Sequence, residues 1–197
     1  MLVVVYEPLL PDGRTMAATM GWQPSWKLTD GLVDALARAG RHYWIVERRT
    51  ANDWAPGAYP MSPDNWRLFC GGSGAWYTSP ICYYQGKLDV DAVLRLADRP
   101  VDEIWLVMPP YLPECREFYL TSPKILVINQ ERQLAEALES YGHMTEARLG
   151  VHDMQGPVHR PPGSVRAYQY DGPGCAAWGC NQVGYLEWWL SSVVGRL

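Results

Sequence analysis

Three glutamates stand where strand-like stretches end. LVVVY (2–6) runs into Glu7, HYWIVE (42–47) closes on Glu47, and Glu131 follows the apolar run ILVI (125–128). Carboxylates emerging from neighbouring strand ends can divide the roles of acid and base in a hydrolysis. Asn129 and Gln130 precede Glu131, and a Pro109-Pro110-Tyr111 turn follows a further strand-like stretch. Asn129 and Tyr111 are thereby substrate-binding candidates beside the catalytic candidates Glu7, Glu47 and Glu131. The plain alternative for each glutamate is a helix cap or an arginine partner.

His143, His152, Asp153, His159 and Asp171 form a second group, of types that ligate divalent metals or act as general bases. Glu131 and His143 read as opposite ends of one helix, about 18 Å apart at ~1.5 Å per residue, so they share no metal. His159, in the loop GPVHRPPGS, is the better catalytic candidate, and His152 and Asp153 remain weak metal candidates. The sequence requires no cofactor. Gly71-Gly72-Ser73-Gly74-Ala75 loosely matches a nucleophile elbow, but no helical pattern follows the serine, and neither a phosphate loop nor a GxGxxG motif is present.

The elements that must position these residues read as an α/β fold. Ile125–Ile128 is continuously apolar, as in a parallel strand covered on both faces. Leu134, Ala137, Leu138 and Tyr141 then recur at helical spacing, and Gly142 is placed to end the helix. Leu28, Leu32, Val33 and Leu36 mark an earlier helix stopped by Gly40. Asp89 caps another over Val90–Ala97, and VDEIWLVM (101–108) is a strand. A short polar helix is expected over 113–120, a further strand at VRAYQY, and a docked terminal helix over 182–196. The expected architecture is a three-layer α/β domain with a mainly parallel sheet of four to five strands and flanking helices. Residues 48–88, rich in Trp, Gly and Pro, read as a long aromatic loop over the carboxyl edge of the sheet, with Trp76 placed to stack on a ligand.

Composition narrows the function classes. A chain of 197 residues with 48% hydrophobic and 19% charged residues has the makings of a single folded domain, 1–197. The formal charge of −4, without clustered Lys or Arg, argues against nucleic acid. No stretch approaches the ~18–20 apolar residues of a membrane span. Met1 leads directly into a strand, so no signal peptide is visible; a cytosolic protein is one reading, an export signal missing from this sequence the other. Ten Trp and twelve Tyr against two Phe favour ring-lined surfaces with a polar end, suited to a carbohydrate or small-molecule ligand or to self-association. Five Cys contain no CxxC pair; Cys70 with Cys82 and Cys175 with Cys180 could form disulfides in an oxidising compartment, and plain buried thiols are the alternative.

Three motifs in order resemble a family of α/β domains found within larger secreted bacterial and fungal proteins, for which no activity is established. They are WLVMPPY (105–111), ERQLAEALESYGH (131–143) and HRPPGSVRAYQYD (159–171), with a weaker likeness in YEPLLPDGRTMAATMGW at the start. The resemblance implies an extracellular setting and a site near Glu131, Arg132, His159 and Asp171. The chain departs from the pattern after the Pro-Pro turn, where Leu-Pro-Glu-Cys replaces a Gly- and aromatic-rich stretch. The leading expectation is a hydrolase-like domain acting on a carbohydrate or related extracellular polymer. The alternatives are a non-catalytic binding or surface-assembly domain using exposed Trp and Tyr, and a divalent-metal-binding domain.

Overall fold

The computed structural model describes residues 1–58, 60–69, 88–109, 119–121, 124–131, 133–148, 187 and 190–191. The chain divides into two compact units, Met1–Trp26 with Ile45–Glu131, and Lys27–Trp44 with Arg132–Leu197.

The first unit holds the sheet. Three consecutive valines favour an extended chain, and β1 (Leu2–Tyr6) is buried at every residue. β3 (Glu103–Met108) is likewise buried throughout, and β5 (Lys124–Asn129) joins it in parallel. β2 (Glu47–Ala51) runs parallel to β1, and β4 (Tyr119–Thr121) pairs antiparallel with β5. The order is β2-β1-β3-β5-β4. Four parallel strands with an antiparallel edge, both faces of the central strands buried and helices between the strands make this the α/β class that the apolar runs imply.

One face carries Leu2, Val4 and Tyr6 of β1 beside Ile104, Leu106 and Met108 of β3 and Ile125 and Val127 of β5, packed with Met16, Trp66, Leu88 and Val93. On the other face Trp105 is fully buried, and its indole N–H donates to Glu103 two residues earlier (3.2 Å). That bond meets the requirement a buried indole brings with it.

β2 begins where the sequence reading ended it. Only Glu47 of the expected strand 42–47 is paired; Val46 N–H donates to Met1 C=O, and the ladder starts at Leu2 opposite Glu47. Side-chain alternation is a weak guide on this edge, because polar ties hold it. Arg49 pairs with Glu47, donates to Leu96 C=O (2.7 Å) and meets Asp98 (2.7 Å), while Arg99 donates to Val46 C=O (2.7 Å). Trp44, expected inside that strand, is 82% exposed.

The expected loop 48–88 contains regular elements: Arg48–Ala51 completes β2, and α3 spans Pro63–Phe69. Ser62 Oγ accepts from Asn65 N–H and Pro63 occupies the first helical position, where its missing N–H costs nothing. α1 (Met16–Met20) is framed by Thr15, whose Oγ1 accepts from Ala18 N–H, and by Gly21 at φ 72°. α4 (Val90–Leu94) has the expected Asp89 cap, accepting from Ala92 N–H at 2.9 Å. Tyr119 and Leu120, the end of the expected polar helix, are in β4; the rest of that helix, and the strand VRAYQY, lie outside the described residues.

α2 (Ser25–Arg38), which belongs to the second unit from Lys27 onward, buries Leu28, Leu32, Ala35 and Leu36. Gly40 ends the stretch after it at φ 84°, with its own N–H on Ala37 C=O and the Arg41 N–H on Leu36 C=O, the paired bonds of a Schellman cap. α5 spans Leu134–Arg148 and runs straight through Gly142, the expected stop. Its buried stripe Ala137, Leu138, Tyr141, Met144 and Thr145 keeps the helical period past the glycine, and that packing outweighs the ~1 kcal/mol a helical glycine costs. Tyr141 O–H and Tyr43 O–H lie 2.6 Å apart. Of the expected terminal helix, Glu187, Leu190 and Ser191 are described and helical; Leu190 is buried and Glu187 pairs with Arg38 (2.6 Å).

Candidate functional site

The strand order sets the place to look. From the central β1 the chain passes to β2 on one side and then to β3 on the other, so the connections diverge between β1 and β3. In open α/β sheets such a switch opens a crevice beyond the carboxyl ends of the strands. Here those ends are Tyr6-Glu7, Ala51-Asn52, Met108-Pro109 and Asn129-Gln130-Glu131.

Glu7 continues β1 by one bond, its N–H donating to Ala51 C=O (2.8 Å). Its carboxylate is half-buried and accepts from Ser25 Oγ at 3.1 Å. Ser25 opens α2 and is itself buried, so it gives the acid a fixed neighbour.

Gln130 follows β5, two strands across the sheet from Glu7. Its backbone N–H donates to Met108 C=O (3.0 Å), and its side-chain Nε2 crosses the end of β3 to donate to Tyr6 C=O (2.7 Å). Gln130 and Asn129 are 0% and 2% exposed, and among the described residues Gln130 Oε1 and Asn129 Nδ2, like Thr19 Oγ1 and Thr145 Oγ1, have no hydrogen-bond partner. An unsatisfied buried polar atom costs about 1–3 kcal/mol.

Tyr6 is the third buried polar side chain here. Asn129 pairs with Met108, and the β1–β3 register extended by one residue sets Tyr6 beside Met108. Burial pushes its phenol up to about 12; the Asp53 carboxylate adds to the rise and Arg49 opposes it. Tyr6 therefore stays protonated across the physiological range and serves as a neutral hydrogen-bonding group.

The sequence-derived candidates fall into three groups. Glu7, Asn129 and Glu131 are at the carboxyl edge; Glu131 is exposed and lies two residues past β5. Glu47 is not with them: it opens β2, pairs across from Leu2 and sits at the amino edge, about 16 Å from Glu7 at ~3.3 Å per residue. It is bound to Arg49 in the strap that holds the edge strand. Trp76, Tyr111, Arg132, His152, Asp153, His159 and Asp171 lie outside the described residues, as do Cys70, Cys82, Cys175 and Cys180.

Compared with known proteins, the chain matches no family model, no curated protein and no solved structure.

Two indoles of the first unit serve as packing. Trp66, from the stretch read as aromatic loop, is buried in the core cluster and meets Trp22 edge to face at 5.2 Å. Among the described residues no group of three or more His, Cys, Asp or Glu is placed to hold a metal ion, and no helix is long and apolar enough to cross a membrane. Sequence reasoning missed Ser25 and Tyr6. Ser25 carried a readable signal, a serine opening an apolar-periodic helix; Tyr6 carried none, being one more large residue at the end of an apolar run.

Proposed function

We propose that the chain is a hydrolase-like α/β domain acting on a carbohydrate or related polymer at the carboxyl edge of its sheet, with Glu7 as the principal working carboxylate. The observation that carries the reading is the half-buried Glu7, oriented by Ser25 at the point where the sheet connections diverge. Glu131 is its partner acid in this scheme. Two strand spacings separate their backbones, about 10 Å at ~4.8 Å per spacing, which leaves room for a substrate and a water between the carboxyl groups. An extracellular setting belongs to the same proposal and rests on the family resemblance alone.

The test is release of reducing ends from a panel of neutral polysaccharides by the wild-type chain, Glu7→Gln and Glu131→Gln. The expected result is turnover by wild type and a loss of about 100-fold or more in Glu7→Gln at unchanged melting temperature, the size of a general acid–base contribution. Equal turnover in wild type and Glu7→Gln, or none by wild type on any polymer, refutes it. Trp44, 82% exposed, favours a second reading, a non-catalytic binding or surface-assembly domain. That reading gains if polymers are bound without turnover and Trp44→Ala releases them.

A further inference from the structure

The ladder between β1 and β3 stops one rung early. β1 runs to Tyr6 and β3 to Met108, and the neighbouring ladders use those ends, pairing Tyr6 with Ala51 and Met108 with Asn129. Between β1 and β3 the last pair is Val5 with Val107. The direction of the next rung follows from the bonds on either side. Glu7 N–H donates to Ala51 C=O and so faces β2; the direction alternates along a strand, so the backbone polar groups of Tyr6 face β3. In this parallel register the Tyr6 carbonyl would accept from the residue after Met108. That residue is Pro109, which has no N–H. The donor comes from Gln130 instead, whose Nε2 reaches Tyr6 C=O at 2.7 Å while its backbone N–H is tied to Met108 C=O at 3.0 Å.

We infer that Gln130 is a positioning residue for Glu7: its side-chain amide replaces the backbone donor that Pro109 lacks and so fixes the peptide from which Glu7 projects. The inference rests on the reading of Glu7 as the working carboxylate. Tyr6 C=O and Glu7 N–H are the two polar ends of one peptide unit, which is planar and stiff. Gln130 holds the first end, Ala51 C=O the second, and Ser25 Oγ the carboxylate beyond them. The proline has a use of its own. A crevice at the point where the connections diverge requires β1 and β3 to part beyond their ends, and a residue without an N–H ends the pairing there. It also leaves a carbonyl at a buried strand end without its rung. An amide on a side chain that is itself fully buried restores the bond without rejoining the strands.

The test is residue-resolved amide hydrogen exchange by NMR on the full chain, in wild type, Gln130→Met, Pro109→Ala and the double variant. Gln130→Met keeps the length of the side chain and removes the donor. Pro109→Ala supplies an N–H, and the following Pro110 keeps the position extended. Gln130→Met is expected to speed exchange of the Glu7 amide about tenfold or more relative to that of Val3 on the same strand. Adding Pro109→Ala should return the Glu7 amide to its wild-type rate, whereas Pro109→Ala alone should leave that rate unchanged. Release of reducing ends should follow the same pattern, kcat falling about tenfold in Gln130→Met at unchanged KM and recovering in the double variant. If Gln130→Met does not fold, folding of the double variant is the expected rescue; failure of both overturns the inference. Equal acceleration at Val3 and Glu7, the mark of a general loss of stability, also overturns it, as does a double variant no better than Gln130→Met. If wild type turns over no polymer, the hydrolase reading fails, and the exchange pattern still decides whether Gln130 holds the Glu7 peptide.

Discussion

Replacing Tyr6 by Phe tests whether the end of β1 is as dry as its packing indicates. The phenol is raised from 10.0 to about 12, with burial as the main cause. The neutral, protonated form is the one the folded state prefers. The resulting stabilisation is complete below the unfolded value near pH 10 and is lost as pH rises toward 12. At pH 11 the unfolded chain has released most of this proton and the native chain little, a difference of about 1.4 kcal/mol from the two pKa values. Water reaching the hydroxyl reduces the effective figure to about 1 kcal/mol. Urea unfolding at pH 8.5 and pH 11 should therefore show wild type losing about 1 kcal/mol more than Tyr6→Phe over that interval, since the other eleven tyrosines titrate in both proteins. Parallel losses would mean that the Tyr6 hydroxyl is solvated, and the account of a dry carboxyl edge would fail.

Two further substitutions check the surroundings. Glu47→Gln should leave any neutral-sugar binding unchanged and cost less than about 1 kcal/mol in urea unfolding, because the carboxylate is at the opposite edge in a partly exposed ion pair. Weakened sugar binding in this variant would show that the amino edge belongs to the site. Gly40→Ala should lower stability by about 1 kcal/mol, since φ 84° strains any residue with a Cβ; an unchanged urea midpoint would show that the turn relaxes without cost.

What could be read from the sequence was what rests on hydrophobic continuity. Val3–Val5, the apolar run of β3 and Ile125–Ile128 have no good alternative to a buried strand, and with them came the α/β class. What could not be read is what depends on distant partners. ERRTA carries no strand-like alternation of apolar residues; it pairs because β1 is beside it, because Arg49 fastens it to residues 47 and 49 positions away, and because Arg99 reaches 53 positions back to Val46 at its entry. Gly142 looked like a stop because a glycine is locally a stop, whereas Met144 and Thr145 show that burial carried the helix on. The same holds at the site. The position of Glu7, Asn129 and Glu131 at the carboxyl edge was legible because they follow apolar runs, and Glu47 was misplaced because a strand boundary shifted by a few residues carries a side chain from one edge of a sheet to the other.

The bond from Gln130 to the Tyr6 carbonyl joins residues 124 positions apart and crosses the end of a third strand on the way. It can form only when β1, β3 and β5 are all present and in register, so the chain meets the full entropy of closing that long loop before the contact exists. The mouth of the crevice is accordingly the last stretch of the central sheet to assemble and the first to report a slipped strand. A chain that presents Gln130 correctly has its central strands in place, so this one bond reports on the register of the whole central sheet.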